Sequence, residues 1–94
     1  IAPWAVAEAL ASLAQDRLRP GGHLVLYGPY LLGHETAPSN LAFDASLKSR
    51  NPEWGVRPLD AVTTLLASHG LVLVERVDMP ANNLMLIFQR REPE

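Results

Sequence analysis

The chain has 94 residues, 48% hydrophobic and 19% charged, and eight Lys/Arg against ten Asp/Glu leave a formal net charge of -2. This is globular composition for one domain, 1–94, with a thin core, since a chain of this size buries roughly 60–70% of its unfolded surface. The lack of cysteine excludes a disulfide scaffold, thiolate metal sites and a cysteine nucleophile. No apolar run reaches the roughly 18–20 residues of a membrane span, and the charge balance leaves no basic stripe for a nucleic acid. The expectation is a cytoplasmic protein with neither membrane nor nucleic-acid partners. The sequence opens on Ile1 rather than Met and shows no signal-peptide pattern, which predicts a piece of a longer protein.

The first predicted element is a helix over 3–19. Pro3 suits its first turn, and Ala7, Leu10, Ala11, Ala14 and Leu18 form a stripe for the core. Pro20-Gly21-Gly22 stops it. Residues 23–27 (HLVLY) read as a strand whose consecutive Leu24, Val25 and Leu26 suit a parallel strand covered on both faces. A polar loop spans 28–38. A helix follows from Ser39 or Asn40, both good N-caps, to Arg50. On it Phe43 and Leu47 share a face, and Asp44 and Lys48 are spaced for an ion pair. Residues 54–57 connect to a helix opened by Pro58, with Leu59, Val62, Leu65, Leu66 and His69 on one side and Gly70 beyond its end. Strands are predicted at 71–77 and 84–89, and 90–94 forms a charged tail.

More than forty residues with helices separate the first two strands, which predicts a crossover and parallel pairing. The short link between the last two strands favours an antiparallel relation. The result is an α/β layer with a mostly parallel sheet, one antiparallel strand and open edges. Those edges predict a homodimer or aggregation.

Parallel strands carry their following loops to one rim, and open α/β sheets bind ligands there. The loops 28–38 and 78–83 are therefore expected to share a mouth. Substrate-binding candidates on it are Tyr27, Gly28, Pro29, Tyr30, Thr36, Ser39, Asn40, Met79, Asn82 and Asn83, with Asp44 and Arg57 from the adjoining helix and connector. Each also has a plain structural reading. Gly28-Pro29 terminates a strand and Asn82-Asn83 suits a turn. Tyr27 and Tyr30 fit an amphipathic rim and Asp44 half of an ion pair, whereas Arg57, beside a helix start, suits an anion contact with the helix dipole. His34 is the one histidine in these loops, so no metal site is predicted. Asp44 and His34 are the candidate proton acceptors.

The segment Leu18-Arg19-Pro20-Gly21-Gly22-His23-Leu24-Val25-Leu26-Tyr27 resembles the approach to the fifth strand of class I S-adenosylmethionine-dependent methyltransferases. Further words extend the likeness: Tyr27-Gly28-Pro29-Tyr30, Thr36-Ala37-Pro38-Ser39-Asn40, Phe43-Asp44-Ala45-Ser46-Leu47, Asn51-Pro52-Glu53-Trp54-Gly55-Val56-Arg57 and Met79-Pro80-Ala81-Asn82-Asn83-Leu84. Together they resemble the methyltransferase-like family called domain of unknown function 938, over essentially the whole chain. The chain departs from that pattern at Ala5 and Pro58, where an acid is usual.

This resemblance implies the C-terminal half of a Rossmann-like fold, with the last strand antiparallel and inserted between the two before it. It implies S-adenosylmethionine for the full-length parent, with Ile1-Ala2-Pro3-Trp4 at the exit of the fourth strand and Pro3 and Trp4 beside the cofactor. The Gly-rich loop and the acid that grip this cofactor in such enzymes lie outside the sequence, so the chain alone is not expected to bind it. Two functions follow as expectations. One is the acceptor-side wall of a methyltransferase acting on a small molecule. The other is a non-catalytic binding or assembly module that retains the same shell.

Overall fold

A computed structural model of the chain describes residues 3–92. Helix α1 covers Trp4–Arg17, with Pro3 at its N-cap and Leu18 at its C-cap, shorter at its end than the expected 3–19. Of its apolar stripe, Ala11 and Ala14 are buried, whereas Leu10 stays 37% exposed. Helix α2 covers Pro38–Arg50 and is capped by Ala37, not by Ser39 or Asn40. Proline is preorganised for the first helical position, so the helix starts there and frees those two side chains for other partners. Leu47 is buried on α2, while its expected face-mate Phe43 is exposed. Helix α3 covers Leu59–Ser68, burying Val62 and Leu66, with His69 as C-cap and Gly70 in the left-handed region at φ 77°.

Strand β1 is His23–Gly28, β2 is Leu71–Met79 and β3 is Asn83–Arg90. The sheet order is β1-β3-β2, and both pairings are antiparallel. The expected parallel pairing and mostly parallel sheet are therefore corrected: β1 and β2 run the same way but do not touch as neighbours. The hairpin between β2 and β3 makes those two antiparallel, and β3 carries the strongest inward alternation. Its Leu84, Leu86 and Phe88 are 5%, 0% and 0% exposed. The central position gives that strand two hydrogen-bonded neighbours and the deepest burial. Placement of the last strand between the other two is what the family resemblance implied.

Exposure on β1 alternates strictly, with Val25 and Tyr27 more than half exposed. The reading of this strand as covered on both faces is thus corrected. The described helices α1 and α3 pack on one face only, where Ala11, Ala14, Val62 and Leu66 meet Leu71, Leu84, Leu86 and Phe88. An antiparallel sheet tolerates such one-sided cover. A register shift between Leu73 and Glu75 leaves Val74 half-exposed. The expected strand remnant at Ile1-Ala2 and the end of the tail lie outside the described residues.

The β2–β3 turn, Pro80–Asn82, holds two successive left-handed residues: Ala81 at φ 62° and Asn82 at φ 58°. Asparagine tolerates this region, but the alanine Cβ crowds its own backbone there, at a cost of roughly 1–2 kcal/mol. Ala81→Gly is therefore expected to stabilise the chain by about 0.5–1 kcal/mol. A midpoint of chemical denaturation at or below the parent value would contradict that geometry.

Candidate functional site

Register builds the rim. Gly28 at the end of β1 pairs with Leu84, and so does Asp78 near the end of β2. With strands spaced about 4.8 Å apart, the two loop entrances lie roughly 10 Å apart on either side of β3. The loop after β1 and the turn after β2 thus open on one edge of the sheet, as topology suggested.

Among the described residues the rim is divided into separate clefts rather than one mouth. A hairpin cleft of about 300 Å³ is lined by residues that include Leu32, Glu35, Asn40, Arg76, Asp78 and Asn82. Met79 and Asn83 also line it. A corner cleft of about 330 Å³ is lined by Tyr27, Gly28, Pro29, Tyr30, Val56 and Arg57, together with Leu26, Ala7 and Val62. The chain at Leu31 divides them, because Tyr30 faces one cleft and Leu32 the other. Leu31 is pinned: its N–H donates to the carbonyl of Arg57 at 3.0 Å, and its carbonyl accepts from the N–H of Leu59 at 2.9 Å.

Ser39, Asn40 and Thr36 form the supports of the hairpin side. Asn40 Nδ2 donates to the carbonyl of Asn82 at 3.1 Å, and Asn82 Nδ2 donates to Ser39 Oγ at 3.1 Å. These reciprocal bonds dock the strained turn on the first turn of α2. Asn83 Nδ2 closes the turn on the carbonyl of Pro80 at 3.2 Å. Thr36 is buried; its Oγ1 accepts from Leu32 N–H at 2.7 Å and donates to the carbonyl of Gly33 at 2.9 Å. It fixes the 3₁₀ turn Gly33–Glu35 and lines neither cleft. His34 lies exposed in that turn and lines neither cleft.

Asp44 is 9% exposed and lies outside both clefts. Its Oδ1 accepts from the Val56 N–H at 2.9 Å, and its Oδ2 pairs with Lys48 Nζ at 2.9 Å. Gly55 makes the approach possible, since a Cβ there would sit 2.9 Å from Asp44 Oδ1 and 3.2 Å from Lys48 Cε. Burial pushes the carboxyl up, but the Lys48 bond, the Val56 N–H and the charges of Lys48 and Arg57 outweigh it and hold it below the usual 3.8. Asp44 therefore fixes the connector from the α2 side while Leu31 fixes it from the loop side. Between them they set Arg57, whose Nη2 donates to the carbonyl of Glu53 at 2.8 Å. Its guanidinium lies 5.7 Å from the ring centre of Trp4, a cation–π distance. Pro3 caps α1 beside that tryptophan.

Sequence reasoning brought Tyr27–Tyr30, Arg57, Asn40, Met79, Asn82 and Asn83 to the rim. It missed Arg76, which sits inside a strand and carries no turn or motif signal, and it missed the division at Leu31. Among the described residues no group of three or more His, Asp or Glu could hold a metal. No helix among them is long and apolar enough to cross a membrane.

A family profile described as "Protein of unknown function (DUF938)" matches residues 1–90. The chain belongs to this family. Solved structures similar to this DUF938 chain include the pyocyanin biosynthetic protein PhzM, at TM-score 0.76 and 21% identity over 92% of this chain and 26% of that one. An O-methyltransferase family protein from Burkholderia thailandensis matches at TM-score 0.75 and 17% identity, over 99% of this chain and 28% of that one. An O-methyltransferase family 2 protein from Planctomyces limnophilus, solved in complex with apigenin, matches at TM-score 0.76 and 20% identity, over 88% and 25%. The chain spans about a quarter of the length of these structures. The likeness is one of fold: an α/β arrangement found in methyltransferase domains.

Proposed function

We propose that this chain is the C-terminal half of an S-adenosylmethionine-dependent methyltransferase and supplies the acceptor-side wall of its cleft, for a small-molecule acceptor in the cytoplasm. The register that sets the loops after β1 and β2 on either side of Leu84 carries this reading. Family membership and the methyltransferase fold support it. A neighbour solved with apigenin supports a small molecule as acceptor.

The cofactor supplies an electrophilic methyl group on a sulfonium sulfur. Among the described residues no buried side-chain polar atom lacks a partner. Pro3 and Trp4 would touch the cofactor from the edge of the corner cleft. The chain's own work is alignment and exclusion of water, which methyl transfer needs more than covalent catalysis. Tyr27, Gly28, Pro29, Tyr30 and Arg57 would contact the acceptor from the corner cleft, and Asn40, Met79, Asn82 and Asn83 from the hairpin cleft. Thr36, Ser39 and Asp44 would hold these in position. Calorimetric titration of the longer parent with S-adenosylmethionine is expected to show saturable binding; none at about millimolar cofactor would end this reading.

The alternative, a binding or assembly module without the reaction, draws support from Asp44, whose two oxygens are engaged, and from His34, which stands outside both clefts. Methylated product from the parent would count against it. A homodimer through the outer edges of β1 and β2 belongs to the same proposal, because neither edge is paired among the described residues and free edges recruit strands. Sedimentation of the 94-residue chain is expected to show a dimer; a monodisperse monomer at high concentration would contradict it.

A further inference from the structure

We infer that the hairpin cleft takes a small molecule ending in a primary ammonium group on a short apolar chain. The side-chain oxygens of Asn40, Asn82 and Asn83 and the carboxylates of Glu35 and Asp78 supply the acceptors for its N–H groups. The inference rests on the reading of this rim as an acceptor wall only in calling that molecule an acceptor; the binding chemistry stands apart from methyl transfer.

The asparagines line the cleft with their acceptors left over. A carbonyl oxygen only accepts, so a bond to one fixes which end of an amide carries the nitrogen. Asn40 Nδ2 donates to the carbonyl of Asn82, and Asn83 Nδ2 to the carbonyl of Pro80. Asn82 spends its Nδ2 on Ser39 Oγ. None of the three Oδ1 atoms takes a hydrogen bond within the described protein. Asn40 is the telling case, because it is only 8% exposed and a polar group at such depth normally has a partner. Among the described residues no unpartnered side-chain polar atom is sealed from solvent. The Asn40 oxygen is therefore open, and the open space that Asn40 lines is this cleft.

Charge points the same way. The carboxylates of Glu35 and Asp78 line the cleft against one guanidinium, that of Arg76. An adjoining notch of about 160 Å³ shares Leu32, Glu35 and Arg76 and adds Asp60. Arg76 lies 3.8 Å from Asp78, with 40% and 85% of the two side chains exposed, so that pair offsets little of the negative charge. An anion would meet two carboxylates and three amide oxygens. An ammonium group has three donors and no acceptor, and its bonds to carboxylates are charge-assisted. Leu32, Met79 and Leu84 give the apolar side of the cleft, and about 300 Å³ is the small end of ligand pockets. The reciprocal bonds between α2 and the turn hold Asn40 and Asn82 in place beforehand, so binding has little left to order.

The test is a titration of the ¹⁵N-labelled chain with butylamine, butyltrimethylammonium and butyrate, followed by amide shifts. The probes share a chain. Butylamine is protonated at neutral pH, as lysine is; the second probe keeps the positive charge without N–H groups, and the third reverses the charge. Butylammonium is expected to bind at about millimolar concentration, as its few atoms allow, and about tenfold more tightly than the other two. Its shifts should cluster at Glu35, Asn40 and residues 78–84. Glu35→Gln with Asp78→Asn should weaken it about fivefold, and Arg76→Gln, which removes the repelling charge, should strengthen it about threefold. All three positions are exposed, so these variants leave the core intact. Equal affinity for the three probes, butylammonium shifts centred on the corner cleft, or a loss of affinity in Arg76→Gln would each overturn the inference. None of these readouts requires cofactor or turnover. Butylammonium selection without any methyl transfer by the parent would sink the proposed function alone, and methyl transfer without that selection would sink this inference alone.

Discussion

Phe88→Ala is expected to destabilise the chain by about 3–5 kcal/mol, the range for emptying a closed aromatic site. Phe88 is fully buried in the middle strand, paired with Leu24 on one side and Leu73 on the other. Ala11, Ala14, Val62 and Leu66 belong to the same core cluster. A chain of 94 residues has a total stability of about 5–14 kcal/mol by the usual per-residue scale. The substitution therefore removes a large share of it, with a fall in melting temperature on the order of 20 °C. The lining cannot collapse readily, because two of its members are alanines and β3 is held by hydrogen bonds on both sides. Denaturant unfolding measures the loss; a change below about 1 kcal/mol would show that the centre of the sheet is not closed as described.

Asp44→Ala is expected to cost about 2–3 kcal/mol. Most of that comes from the Val56 N–H, left without its acceptor in a buried position. The Lys48 pair adds less, since Lys48 is 56% exposed and such pairs are weakened by water. Asp44→Asn keeps an oxygen for Val56 and is expected to cost less than half as much. The pH dependence separates charge from hydrogen bond. The carboxyl is held below 3.8 in the folded chain, so its ionised form stabilises the fold above the unfolded value. That contribution is lost as pH falls through the folded value. The gap in stability between the parent chain and Asp44→Asn should therefore be full at neutral pH and shrink below about pH 4. A gap independent of pH would show that the charge contributes nothing. In the same variants the amide of Arg57 should shift in NMR spectra, because the clamp on its connector is loosened.

Much of this architecture is legible in the residues. The proline and glycine punctuation delimits all three helices, and the stripe of Val62 and Leu66 marks the buried face of α3. Boundaries slipped where two signals competed: Ser39 and Asn40 look like caps, but Pro38 takes the first helical position and their side chains dock the hairpin turn instead. Strand order was not legible from spacing. A long crossover says that β1 and β2 run alike, and it does not say that another strand will lie between them. The run Leu24–Leu26 reads as two-sided burial because hydrophobicity reports what a residue tolerates, whereas cover depends on elements elsewhere in the molecule. The rim followed from topology, which depends only on strand direction. The separation of the hairpin cleft from the corner cleft did not, because it arises from Leu31 meeting Arg57 and Leu59, a contact between segments far apart in sequence. Asp44 carried its Lys48 signal openly, while its bond to Val56 depends on Gly55 and leaves no periodic trace.

The position of Leu84 between Gly28 and Asp78 decides whether the two loops belong to one rim. Nuclear Overhauser measurements on the labelled chain read it directly. The expected result is cross-strand contacts from Leu84 to both Gly28 and Asp78 in the same spectrum. Contacts linking β1 to β2 directly, with Leu84 on an outer strand, would contradict it and would separate the clefts, Arg57 and the docked turn from any shared function.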